Sequence, residues 1–178
     1  MAFDLGNLLQ QYLGNTASTN ANPQQTADDF NQVAQNAPRE VVAQGVTEAL
    51  RSDQTPPFPQ MLSQMFGQGN SQQRSSMLTE LLGSLGPGVL ASLANGPLRN
   101  ILGGNQTQGG VPNITPAQAD QVTPDQFREI AAGAEQQDPS IVDKMGQFYA
   151  QHPDLVKGLG GAALAILLGQ IAQGMQRR

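Results

Sequence analysis

The sequence predicts an all-α fold, a bundle of short amphipathic helices with an apolar, small-residue-rich C-terminal helix and essentially no β-sheet. Three observations predict it. Apolar residues recur at the i, i+3, i+4 spacing of a helical face in one short segment after another. Prolines preceded by a capping residue, as in Thr115-Pro116, Thr123-Pro124 and Asp138-Pro139, repeatedly mark helix starts. No stretch alternates convincingly with the period of two that a half-buried strand requires.

The first element places Leu5, Leu8, Leu9, Tyr12 and Leu13 on one helical face, with Gly14 as its C-terminal cap, so residues 1–14 form an amphipathic helix. Residues 15–25 are polar and breaker-rich and read as a linker. A helical region spans 26–102. It opens on Thr26, which with Asp29 three residues on resembles a capping box, ahead of Phe30, Val33, Ala34 and Ala37. Pro38 restarts the chain for Val41, Val42, Val46, Ala49 and Leu50, up to the breaker run SDQTPPFP. Phe58, Met61, Leu62, Met65 and Phe66 then share a face, as do Met77, Leu78, Leu81, Leu82 and Leu85, and Val89, Leu90 and Leu93 follow in a shorter helix.

Residues 103–113, GGNQTQGGVPN, lack periodicity and form the clearest linker, so a domain boundary is expected there. The C-terminal helical region, 114–178, carries the tandem Thr-Pro helix starts. Phe127, Ile130, Ala131 and Ala134 form one face, and Ile141, Val142, Met145, Phe148 and Tyr149 another. His152-Pro153-Asp154 leads into the tail.

Charged residues are only 13% of the chain, about half the usual share of roughly 25%, and the net charge is −5. A polar but weakly charged surface leaves little repulsion between copies. The nine basic residues are scattered apart from Arg177-Arg178, which excludes a phosphate-tracking stripe and therefore nucleic-acid binding. There is no cysteine, so disulfides and thiolate chemistry are excluded. The start, MAFDLGNLL, lacks the positive n-region and continuous apolar core of a secretion signal, and a cytoplasmic location is expected.

No catalytic constellation emerges. His152 is the only histidine, and one imidazole cannot build a metal shell or a triad, so it reads as a capping residue. The carboxylate pairs Asp138/Asp143, Asp125/Glu129 and Asp28/Asp29 each sit in a cap or first turn, where negative charge favours the helix dipole. The glycine runs lack the Lys-Ser/Thr ending of a phosphate loop. No catalytic residue, metal, cofactor or small-molecule substrate is therefore expected.

The tail is the most telling stretch. From Gly158 to Gln176 it carries no charge, which is the length of a bilayer span, yet its glycines and the amides of Gln170 and Gln173 make a poor lone anchor. Gly161, Ala165 and Gly169 stand at i, i+4, i+8, a small-residue ridge that lets another helix approach, flanked by Leu164, Leu168 and Ile171. A helix apolar nearly all round must be surrounded. The centre of its own bundle, an interface with a second copy, and a membrane are the three ways open to it.

The segments MLSQMFGQGN, LLGSLGPGVL, GGNQTQGG and the proline-led run from Thr123 to Gly160 resemble a class of small, Gly- and Gln-rich helical bacterial proteins, broadly of the YidB-like kind. That resemblance implies a helical bacterial protein and no active-site residue. The expectation is a non-enzymatic, self-assembling homo-oligomer. It would pack through Gly161, Ala165, Gly169, Leu164, Leu168 and Ile171, and through Phe58, Met61, Leu62, Met65 and Phe66. The alternatives are membrane association through the tail, or an adaptor that offers the Met-rich face to a client helix.

Overall fold

The computed structural model describes residues 4–13, 22–96, 98–102 and 112–177, and these residues form helices and no strand. In chain order the helices are α1 (Leu5–Leu13), α2 (Pro23–Asn36), α3 (Arg39–Arg51), α4 (Phe58–Gln68), α5 (Ser71–Gly83) and α6 (Pro87–Ala94). They continue with α7 (Arg99–Leu102), α8 (Pro116–Ala119), α9 (Pro124–Gln137), α10 (Ile141–Gln151), α11 (Pro153–Val156) and α12 (Gly161–Gln176). The chain divides into two compact units, one of Met1–Pro57 with Gly146–Arg178 and one of Phe58–Met145.

That division differs from the boundary expected at 103–113. Residues 103–111 of that linker lie outside the described residues, and both its flanks belong to the second unit, where Ile101 and Ile114 are buried. Glycine content marks where a chain can turn, not which elements pack together. The real divisions fall between Pro57 and Phe58, at the start of α4, and inside α10.

Helix starts follow the capping logic, with one shift. α2 begins at Pro23 and not at Thr26: Asn22 caps it, its side chain accepting from the Gln24 N–H at 3.2 Å, with Pro23 in the first turn. Thr26 is buried one turn inside and donates to the Asn22 carbonyl. Asn-Pro uses the same device as Thr-Pro, since proline's missing N–H is not needed there. The Thr115-Pro116 and Thr123-Pro124 starts are full capping boxes, closed by Gln118 and Gln126. At Asp138 the carboxylate accepts from the Ser140 N–H, and α10 starts at Ile141.

In the first unit α12 packs against α1, α2 and α3. Leu164, Leu167, Leu168, Ile171 and Ala172 are at most 1% exposed, so this helix is the unit's core. The tail does not form one continuous helix. Lys157–Leu159 is a 3₁₀ turn, and Gly160 follows at φ +80°, a conformation that side-chain-bearing residues rarely adopt. The uncharged stretch is thereby cut to 16 residues of α-helix. Among the described residues no helix is long and apolar enough to cross a membrane.

In the second unit α4 packs against α9, and α5 against α8. The Phe66 and Phe127 rings stack at 4.3 Å between centroids, 13° from parallel. Met77, Leu78, Leu81 and Leu82 from α5 are fully buried.

Candidate functional site

The small-residue ridge of the tail does not meet a single partner. A methyl added at Gly161 would lie 2.9 Å from the Pro23 Cα, at the start of α2, whereas one at Gly169 would lie 3.5 Å from the Tyr12 carbonyl of α1. Ala165 between them is half-buried. A second close approach to α12 comes from a different glycine. At Gly45 of α3 an added methyl would sit 3.1 Å from the backbone nitrogen and 3.2 Å from the Cα of Ile171, besides overlapping that isoleucine's side chain. Sequence reading missed Gly45, because a lone glycine within a helical pattern carries no sign of what faces it.

Helix α1 lies on α12 and also touches α2. Of its apolar face only Leu9 is buried; Leu5, Leu8, Tyr12 and Leu13 remain half-buried. A side-chain hydrogen bond ties it to α2, the Tyr12 hydroxyl donating to Asp29 Oδ2 at 2.6 Å. Burial, and then the Asp29 carboxylate that accepts its hydrogen bond, push the Tyr12 ionisation up to about 12. Asp29, read in the sequence as part of a cap, serves this contact.

Elsewhere in the first unit Tyr149 is fully buried, and its burial pushes the phenol well above its ordinary ionisation range. His152 occupies the N-cap position of α11 without making a side-chain cap bond. Its exposed ring lies 4.6 Å from Phe148.

In the second unit Phe58, Met61, Leu62, Met65 and Phe66 are all at most 2% exposed, on a helix that packs against α9. The Met-rich face is therefore core in this structure. Arg74 fastens the end of the same helix: Nε donates to the Phe66 carbonyl and a terminal nitrogen to the Gly67 carbonyl, both at 2.9 Å, with the guanidinium 5.5 Å above the Phe66 ring. It pairs with Asp120 at 3.6 Å, and Asp120 in turn accepts from Ser71 Oγ at 2.7 Å. Partners so far apart in sequence gave no local signal.

Helix α6 has the opposite character. It reads PGVLASLA and contains no buried residue; Val89, Leu90 and Leu93 are half-exposed and Ala91 is exposed. It also sits inside a stretch, Leu81 to Leu98, that carries no charge. That second uncharged run is a signal the sequence does contain, overshadowed by the tail.

Reactive groups do not converge. Among the described residues no three His, Cys, Asp or Glu side chains are placed to hold a metal ion. Asp138 is held below the usual carboxylate range by its bonds to Ser140 and then Lys144, and Lys144 also donates to the Ser84 carbonyl, which ties α10 to the end of α5. The arrangement offers apolar contact surface. Comparison of the chain with protein-family models, with curated proteins and with solved structures returns no match.

Proposed function

We propose that this chain is a non-enzymatic helical protein that self-associates, and that α6 is the face through which two copies meet. The observation that carries the reading is an apolar helix with no buried residue, in a chain that buries the apolar faces of α3, α4, α5 and α12 thoroughly. A second copy is the favoured occupant because the face is uncharged. Across a two-fold axis a surface meets itself, and any charge on it would face a like charge. Leu81 to Leu98 has none to oppose.

The expected strength is modest, because the covered apolar side chains are Val89, Leu90 and Leu93 of each copy, and part of what their burial contributes is offset by lost translational and rotational freedom. The association is weak and concentration-dependent, suited to a crowded assembly in which many such contacts act together.

Light scattering behind size-exclusion chromatography on the full chain, from about 10 μM to 1 mM as the weak affinity requires, tests the proposal. A mass that rises with concentration, and rises much less in Leu90→Glu with an unchanged helical circular-dichroism spectrum, is the expected result. A monomer throughout the range would overturn it, and self-association untouched by Leu90→Glu would move the interface away from α6.

A further inference from the structure

We infer that α1 is an exchangeable segment, and that a second copy of this chain can supply the α1 that covers α12. The inference rests on the self-association reading and names a second contact for it, built from the first unit alone.

The seat is made of α12 and α2. Gly169 lets the α1 backbone come down on the tail helix at the Tyr12 carbonyl, and Asp29 receives the Tyr12 hydroxyl. Those features recognise a particular helix, with a buried Leu9 and a phenol one turn further on. The partner that carries that helix without any new design is another copy of the same chain.

The attachment of α1 is slight. At nine residues it is shorter than the roughly 12–15 residues at which an isolated helix begins to persist in water, so its helicity depends on docking. Among the described residues Leu9 is the buried one on α1, and the Tyr12 hydroxyl ties it to Asp29, whereas α3, which packs on the same tail helix, buries six residues. Leu13 is joined to Asn22 by GNTASTNA, a sequence with no large apolar side chain. An exchanged helix makes in its neighbour's seat the contacts it makes in its own. The balance then turns on concentration, which is why exchange of an identical element is a low-cost route to dimers.

The test reads which chain's α1 lies on which chain's α12. The chain has no cysteine, so Gln10→Cys places a single spin label on an exposed position of α1. Labelled full-length chains without isotope are mixed with unlabelled ¹⁵N-enriched full-length chains, and intermolecular broadening of the Gly169 and Asp29 amides is recorded. Broadening at both sites is expected, persisting when both chains carry Leu90→Glu and vanishing when the labelled chain also carries Leu9→Glu. Tyr12→Phe in both chains keeps Leu9 but removes the bond to Asp29 from every seat, and should make the broadening appear roughly tenfold faster, as loss of a hydrogen bond to a charged group implies. If the chains associate by light scattering but those amides stay sharp, α1 keeps to its own seat. The inference then fails while the self-association reading survives. A monomeric mass at every concentration would defeat both.

Discussion

The tail helix α12 and the short helix α6 look alike in sequence, each lying in a run of about the same length without charge, yet the structure treats them in opposite ways. α12 is wrapped by α1, α2 and α3 and buries eight of its 16 residues, while α6 buries none of its eight. Apolarity says that a helix will find cover but not from where. The difference lies in surface relief and length. Facing glycines, Gly45 opposite Ile171 and Gly161 opposite Pro23, let backbones close on α12 over about three turns, whereas α6 is only about two turns long and ends at Asn95-Gly96.

The sharpest way to break this comparison is to remove the same atoms from each helix. Leu168→Ala, at a fully buried position, should cost about 2–5 kcal/mol, while Leu90→Ala should change stability by less than about 0.5 kcal/mol. Urea unfolding followed by circular dichroism measures both, and similar midpoints would show that the two helices are covered alike. Gly45→Ala is expected next, at roughly 1–3 kcal/mol, because the Ile171 side chain must shift and the backbone beneath it must yield to admit the methyl. Ala165→Leu, at the half-buried centre of the ridge read from the sequence, should cost less than Gly45→Ala in the same assay.

Alkaline titration probes the cover on α12. Tyr12 ionises at about 12 in the folded chain, above the value near 10 of an unfolded tyrosine. A raised folded value means that the native state holds its proton longer. The stability this contributes is complete below about pH 10 and is lost as the pH rises toward about 12. With two tyrosines and no tryptophan in the chain, and Tyr149 also raised, tyrosinate absorbance should be nearly absent at about pH 10 and then rise as α1 detaches. An ordinary titration centred near 10 would show that α1 is already loose. The smallest effect should be a gain: Gly133, within α9, has open space where a methyl would go, so Gly133→Ala should stabilise by about 0.5–1 kcal/mol. A loss there would mean that the position meets something beyond its own chain.

The helices were legible because their causes are local. The apolar faces of α3, α4 and α5 appear in the sequence as they are buried in the structure, residue for residue at Val41, Val42, Val46, Ala49 and Leu50. Asn22-Pro23 could have been read by the rule that served at Thr123-Pro124, and only the weight given to Thr26 hid it. Arg74 and Gly45 could not. Their significance is a relation to Phe66, Asp120 and Ile171, each brought to them by the fold.

By itself the sequence determined that this protein is helical, where most of its helices start, and that two of its stretches carry no charge, because spacing, caps and charge are set by neighbours within a turn or two. Only the tertiary structure decided that the chain divides inside α10 and not at its glycine-rich linker, that Gly160 cuts the tail to 16 residues, and that α12 is enclosed while α6 is not. Those outcomes depend on which surfaces can approach closely enough to exclude water, and that is a property of pairs of segments far apart in the chain.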